Sequence, residues 1–152
     1  MDIEQHGNFR NAQADFRWDG VGVHPYKEEG SAPFRAISRQ VLFSDDGMAA
    51  DLRYFEMAAG GYSTLERHQH VHAVMILRGH GQCLVGEEVR PVKPLDLVSI
   101  PAWTWHQFRA TAGEPLGFLC MVNRERDKPR LPTVDELALM VGNAAVAAFL
   151  KA

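Results

Sequence analysis

Short apolar runs separated by turn residues follow one another from about residue 34 to residue 122. Runs of this length, bounded by glycine, proline and aspartate, predict β-strands. We expect eight strands, at residues 35–43, 52–57, 74–77, 82–85, 89–92, 97–100, 106–110 and 116–122. Strands spaced by about 8–12 residues are typical of an antiparallel sandwich or barrel, and not of alternating β-α units.

The two ends of the chain depart from this pattern. Residues 1–30 are polar and broken by glycine, with Trp18 and Tyr26 as isolated aromatic anchors, so we expect an irregular arm that packs on the domain or on a partner subunit. Thr133 and Glu136 have the spacing of a helical capping box, and residues 134–150 predict a helix that is apolar on more than one face. We therefore divide the chain into an arm (1–30), a barrel (31–125) and a C-terminal helical segment (126–152), which we expect to pack on the barrel or on a second subunit.

Composition excludes several classes of protein. With 152 residues, 46% of them hydrophobic, the chain can bury the core of one globular domain. A net charge of -3 without a basic stripe argues against a nucleic-acid partner, and no run reaches the roughly 18 apolar residues that span a membrane. Residues 1–15 lack the apolar middle of a signal peptide, and two cysteines are too few for a disulfide framework. We expect a cytoplasmic, single-domain protein that acts on a small molecule.

Five of the seven histidines fall after residue 65, and three of them lie within five residues: His68, His70 and His72. Positions 66, 68, 70 and 72 would share one face of a straight strand, but its ends would be about 20 Å apart at ~3.3 Å per residue. A metal ion shared by this cluster therefore requires a turn inside residues 68–72.

The spacing of these residues resembles the two motifs of the cupin superfamily. The first motif runs Gly, five residues, His, one, His, three or four, Glu, six, Gly, and the chain matches these intervals with Gly60, Glu66, His68, His72 and Gly79. Glutamate and histidine have exchanged places at two of the positions. In the second motif Pro101 and His106 match in register, whereas three motif residues are replaced, by Leu95, Trp103 and Ala110.

The resemblance covers residues 48–122 and implies an all-β double-stranded β-helix, or jelly roll. It also implies one divalent metal ion inside the barrel, held at the matched positions Glu66, His68, His72 and His106. Imidazoles with one carboxylate suit Mn²⁺, Fe²⁺, Ni²⁺ or Zn²⁺, and four protein ligands would leave about two octahedral positions for substrate. We expect His70, at the tip of the turn, to contact the substrate.

Four further residues are candidates for the same pocket. Cys120 is interpreted either as a small buried side chain or as a reactive thiolate whose pKa the metal ion lowers. Arg35 and Arg39 lie four apart on a predicted strand and so share one face, where they either clamp a phosphate or carboxylate of the substrate or form a solvated or ion-paired edge. Trp105, beside the second motif, should narrow the pocket or cap it at a subunit interface.

Three functions remain open on this evidence. The first is metal-dependent chemistry on a sugar phosphate, of the isomerase or lyase kind, and it has one specific variant. The chain resembles a family of manganese cupins that remove the methylthio group of 1-methylthioxylulose 5-phosphate, forming 1-deoxyxylulose 5-phosphate and passing the group to glutathione. In that reaction Cys120 would accept the methylthio group as a mixed disulfide. The alternatives are an Fe(II)-dependent dioxygenase and a non-catalytic small-molecule-binding cupin. The apolar C-terminal helix predicts a homodimer.

Overall fold

The computed structural model describes residues 8–28 and 30–151. Within these ranges it contains eleven strands and two helices. They are β1 (Ala12–Gln13), β2 (Arg17–Trp18), β3 (His24–Pro25), β4 (Arg35–Phe43), β5 (Ala50–Tyr62), β6 (His72–Arg78), β7 (Gly81–Val85), β8 (Glu88–Val92), β9 (Leu97–Ile100), β10 (His106–Ala110), β11 (Leu116–Asn123), α1 (Val134–Met140) and α2 (Ala144–Lys151). Strands β4 to β11 are the eight predicted strands, so the all-β prediction is confirmed.

The long strand β5 organises a curled antiparallel sheet. Along most of its length β5 pairs with β11 on one side and with β4 on the other. At its far end Tyr62 pairs with Arg109 of β10, so β5 also joins the β8-β7-β10 part of the sheet. The path β8-β7-β10-β5-β11-β6-β9 therefore curls around an interior, which the alternate side chains of each strand fill.

Aromatic side chains close one part of this interior. The Phe118 ring lies between those of Phe55 and Phe108, with centroid distances of 5.7 Å and 4.6 Å. Two residues further along the same inner faces, Arg53 of β5 pairs directly with Cys120 of β11. The inner face therefore changes from an apolar core to a polar cavity within two residues along these strands.

The N-terminal arm packs on its own barrel, which is one of the two arrangements expected from the sequence. Strands β1 and β2 form a hairpin over the outer face of β5, where Phe16 stacks on the buried Tyr54 and Trp18 meets the same ring edge-on. Gly117 makes room for this ring, since a Cβ there would lie 1.9 Å from the Tyr54 hydroxyl oxygen. Residues 1–7 of the arm lie outside the described residues.

The predicted single helix over residues 134–150 is wrong in one respect, because the structure contains two helices there. The capping box of Thr133 and Glu136 begins α1 as expected. After α1 ends, the Asn143 side chain accepts the backbone N–H groups of Ala145 and Val146 and so starts α2. Helix α2 then packs on Leu84 of β7, and no helix of the described residues is long and apolar enough to cross a membrane.

The motif positions that cupins fill with glycine adopt left-handed backbone in this chain. Gly79 has φ of +74°, and a Cβ there would lie 1.8 Å from the Pro115 carbonyl oxygen. Leu95 and Trp103, which replace the motif glycines, also have positive φ, at +75° and +57°. The turns that the motif requires are thus kept even where a side chain must bear the strain.

Candidate metal centre

A cavity of about 430 Å³ opens at the polar end of the barrel interior. Strands β4, β5, β6, β10 and β11 and the segment before β6 contribute its wall. Imidazoles, guanidinium groups and one thiol line it together: His68, His72, His106, Arg39, Arg53 and Cys120.

Three histidines direct their ring nitrogens toward one another in this cavity. The ligand atoms of His68, His72 and His106 all lie within 4.8 Å of one another. The Nε2 atoms of His72 and His106 are 3.3 Å apart. Two nitrogens bound to one ion at about 2.1 Å are separated by roughly 3.0–3.4 Å, so these three histidines can hold a divalent metal ion.

Backbone carbonyl groups orient two of these rings. His68 Nδ1 donates to the His70 carbonyl at 2.7 Å, and His106 Nδ1 donates to the Thr104 carbonyl at 2.9 Å. A carbonyl oxygen only accepts, so each Nδ1 carries the proton and each Nε2 keeps its lone pair. This is the tautomer that a metal ion requires at Nε2.

Burial keeps these imidazoles neutral. Burial, with the neighbouring histidines acting in the same direction, lowers the pKa of His72 to about 2 and that of His106 to about 4. Burial also lowers the pKa of His68. At neutral pH all three rings therefore offer lone pairs and not positive charges, as metal binding requires.

The predicted turn inside residues 68–72 is confirmed, and a distant carboxylate stabilises it. The chain bends at Gln69 and His70, and the Asp127 carboxylate accepts both of their backbone N–H groups, at 2.7 and 2.9 Å. His70 Nδ1 lies 2.8 Å from the same carboxylate, and its ring stacks on His68 at 3.6 Å. These hydrogen bonds hold the pKa of Asp127 well below its usual range, and the one from the Gln69 backbone N–H has the largest effect. Asp127 thereby positions the bend that brings His68 to His72.

Glu66 lines the same cavity but is engaged by a cation. Its carboxylate forms a 2.6 Å ion pair with Lys27 of the N-terminal arm. The three-histidine group does not include it. Its role as a fourth ligand therefore remains a prediction, and the sequence did not indicate Lys27 as its partner.

Cys120 lies against both the histidines and the arginines. Its Sγ is 3.2 Å from His72 Nδ1 and accepts a 3.7 Å hydrogen bond from Arg53. Burial raises the pKa of the Cys120 thiol, and Arg53 acts in the opposite direction. The protein groups alone therefore favour the thiol form, in contrast to the lowered pKa expected with a metal ion nearby. The second cysteine, Cys83, is buried in the β7 core and lies outside this cavity.

Two residues assigned to the pocket from sequence are not in its wall. Ala36 has positive φ and the β4–β5 register shifts around it, so the strand period breaks between Arg35 and Arg39. Only Arg39 lines the cavity, whereas Arg35 is exposed. Trp105 instead lies under the Arg67 guanidinium at 4.4 Å, in a cleft next to α1.

Two further arginines line the cavity without having been assigned to it from sequence. Strand parity alone does not indicate which face of β5 carries Arg53, but its pairing with Cys120 does. Arg126 lies in a charged stretch after β11. Its position after the last strand is the only feature of the sequence that could have suggested a place in the cavity wall.

Comparison with known proteins agrees with this fold. The cupin domain family matches residues 53–122, from β5 to the end of the barrel. A crystal structure of a cupin 2 conserved barrel domain protein from Rhodopseudomonas palustris has a TM-score of 0.88 and 59% identity, covering 93% of this chain and 97% of that one. The chain belongs to the cupin family, and its barrel is a jelly roll of the cupin type.

Two relatives from Rhodospirillum rubrum are similar over nearly their whole length. A crystal structure of a cupin-2 domain has a TM-score of 0.86 and 62% identity, covering 94% of this chain and 96% of that chain. A protein named 1-methylthio-D-xylulose 5-phosphate methylsulfurylase is 63% identical over 142 residues, which are 93% of this chain and 91% of the relative.

Proposed function

We propose that this cupin is a metal-dependent 1-methylthio-D-xylulose 5-phosphate methylsulfurylase. The main support is the position of the Cys120 thiol, which lies in the wall of the histidine cavity and contacts both His72 and Arg53. The similarity to the Rhodospirillum rubrum methylsulfurylase along 93% of this chain supports the same assignment. Simple isomerisation or oxygenation would leave this thiol without a role.

His68, His72 and His106 would hold the metal ion, with Glu66 as the fourth ligand. The donor set of neutral imidazoles with a carboxylate suits a first-row divalent ion, and we propose Mn²⁺. A bound divalent ion would polarise the substrate carbonyl and stabilise the negative charge that develops on its oxygen. We further propose that the protein is a cytoplasmic homodimer.

Cys120 would accept the methylthio group directly. Its thiolate attacks the methylthio sulfur, the bond from that sulfur to C1 breaks, and the bonding electron pair remains on C1. A proton then completes the methyl group of 1-deoxyxylulose 5-phosphate, while Cys120 carries a methyl disulfide. Carbon C1 is reduced, and the two sulfur atoms are oxidised to a disulfide, so the electrons balance.

A thiol co-substrate would regenerate Cys120. The glutathione thiolate attacks the methylthio sulfur of the mixed disulfide, releasing the Cys120 thiolate and forming methyl glutathionyl disulfide. Arg53 stabilises the thiolate form of Cys120 in both steps through its 3.7 Å contact. Burial of the sulfur limits its access to competing oxidants, since Cys120 is only 1% exposed.

Two cysteine variants test the covalent step. We expect Cys120→Ser to abolish methylthio transfer while retaining its metal content, because the hydroxyl cannot form the mixed disulfide. Cys83→Ser is the matched control, since Cys83 is also buried but lies outside the cavity. Mass spectrometry of the wild type, mixed with substrate without glutathione, should detect one methylthio group on Cys120.

Unchanged turnover in Cys120→Ser would contradict the covalent step. Fe(II)-dependent oxygen consumption without methylthio transfer would contradict the whole proposal and favour the dioxygenase. Ligand binding with an intact metal site but no turnover would favour a non-catalytic cupin.

A further inference from the structure

Three arginines from separate segments converge on one side of the cavity. Arg39 lies on β4, Arg53 lies on the neighbouring β5, and Arg126 follows β11. The register pairs Val41 with Arg53, so Arg39 is two residues from the direct partner of Arg53 on the adjacent strand. Such diagonal neighbours are within reach of long side chains.

None of these three guanidinium groups forms an ion pair with a carboxylate in residues 8–28 and 30–151. The Nε atoms of Arg39 and Arg53 are buried without a hydrogen-bond partner. The acidic groups of the cavity are mostly engaged elsewhere. Glu66 pairs with Lys27, Asp127 holds the bend at Gln69 and His70, and Glu28 is exposed at the rim.

Arg124, two residues before Arg126, is by contrast neutralised by carboxylates. It forms ion pairs with Asp46 and Asp51 outside the cavity, whereas Arg126, two residues later, forms none in the described chain. Burial and the charge of Arg53 lower the pKa of both Arg39 and Arg126. The three positive charges therefore repel one another, and of the described carboxylates only Asp51 acts against this at Arg126, without an ion pair. An anion bound among the three guanidinium groups would relieve the repulsion.

We infer that Arg39, Arg53 and Arg126 form the binding site for a phosphomonoester, the 5-phosphate of the substrate. The inference rests on the proposed function for the identity of the sugar. Guanidinium groups match phosphate oxygens through paired N–H donors, and phosphate neutralises more than one of the three charges.

The position of Cys120 relates this phosphate site to the reaction. Its sulfur contacts Arg53 on one side and His72 on the other. The thiol thus lies between the arginines and the three histidines. A substrate held by its phosphate at the arginines and by its carbonyl at the histidines would be bound at both ends, with the thiol in reach of the chain between them.

Binding of D-xylulose 5-phosphate to chelator-treated protein tests the site by itself. This sugar lacks the methylthio group and cannot react, so calorimetry reports binding without any turnover. We expect wild-type protein to bind D-xylulose 5-phosphate and to bind unphosphorylated D-xylulose at least about 10-fold more weakly. Arg39→Gln and Arg126→Gln should each weaken binding of the phosphorylated sugar about 10-fold or more.

Arg35→Gln and Arg124→Gln are the matched controls, and their binding should equal that of the wild type. Arg35 lies on the same strand as Arg39 but outside the cavity, and Arg124 lies beside Arg126 but is paired. Although its guanidinium group is partly desolvated in the cavity wall, Arg126 as a whole residue is solvent-exposed and lies outside the core, so its substitution keeps the test valid even where Arg39→Gln fails to fold.

Equal binding of the two sugars, or wild-type binding in Arg126→Gln, would overturn the phosphate site. Phosphate-dependent binding without any methylthio transfer would support the arginine site and contradict the proposed function. Full methylthio transfer in Arg126→Gln with unchanged KM would support the proposed function and contradict the arginine site.

Discussion

Acidification of the metal-free protein should reveal the neutral state of the histidine cluster. In an unfolded chain histidine titrates near 6.5, whereas burial lowers the pKa of His72 to about 2 and of His106 to about 4. Between these values the unfolded state binds protons that the folded state refuses. The contribution of these two neutral histidines to the free energy of unfolding is therefore fully present above about pH 6.5 and is lost as the pH drops below that value.

The size of this loss follows from the linkage relation. At pH 5 an unfolded histidine is almost fully protonated, which stabilises the unfolded state by about 2 kcal/mol for each buried neutral histidine. His72 and His106 together should lower the free energy of unfolding by about 4 kcal/mol between pH 7 and pH 5. That is a large share of the roughly 5–15 kcal/mol that stabilises a typical domain.

The window from pH 7 to pH 5 isolates the histidines. The carboxyl groups with lowered pKa, those of Asp96, Asp127 and Glu136, have unfolded values near 4 and contribute mainly below about pH 5. Urea unfolding followed by tryptophan fluorescence, with a chelator present, measures the free energy at each pH. With Mn²⁺ in excess the protein should be more stable at pH 7, because the ion binds the folded state. Its loss of stability between pH 7 and pH 5 should be about the same as without the ion, since His72 and His106 stay unprotonated in the folded state at pH 5.

Two variants make the measurement specific. His106→Gln removes one buried neutral imidazole and should reduce the loss between pH 7 and pH 5 by about 2 kcal/mol. His80→Gln is the control, since the His80 side chain is 59% exposed and pairs with Glu114. A wild-type loss below about 1 kcal/mol, or the same loss in His106→Gln as in the wild type, would refute the reasoning.

Three further predictions concern the turns, the fourth ligand and the helix. Gly79→Ala should lower the free energy of urea unfolding by about 3 kcal/mol or more, because its Cβ would collide with a backbone carbonyl at positive φ. Leu95→Gly should raise it by less than about 1 kcal/mol, since it relieves φ of +75° at an exposed side chain; a loss in Leu95→Gly would contradict the strain. If Glu66 is a ligand, Glu66→Gln should weaken Mn²⁺ binding in calorimetry about 10-fold or more. Lys27→Met should strengthen Mn²⁺ binding, because it removes the cation paired with Glu66. Unchanged Mn²⁺ affinity in Glu66→Gln would exclude Glu66 as the fourth ligand. Thr133→Ala should lower stability by about 1 kcal/mol and speed amide exchange in α1, and unaltered exchange would show that the cap is dispensable.

The sequence by itself determined the strands and the histidine group, because both depend on local pattern. Apolar runs and turn residues set each strand, and the motif intervals placed His68, His72 and His106 on segments that meet in the barrel. The requirement for a turn inside residues 68–72 followed from strand geometry alone. The motif spacing also identified the turns at Leu95 and Trp103, although the residues there are not glycine.

Tertiary structure alone decided which side chains complete the cavity. A bulge at Ala36 separates Arg35 from Arg39, and local spacing does not reveal it. The partners of the site come from distant segments: Asp127 is 57 residues from His70, and Lys27 is 39 residues from Glu66. A repeating pattern encodes which face of a strand is buried, but a single polar contact between distant segments leaves no repeat in the sequence. The convergence of Arg39, Arg53 and Arg126 on one cavity therefore becomes visible only once the sheet has curled.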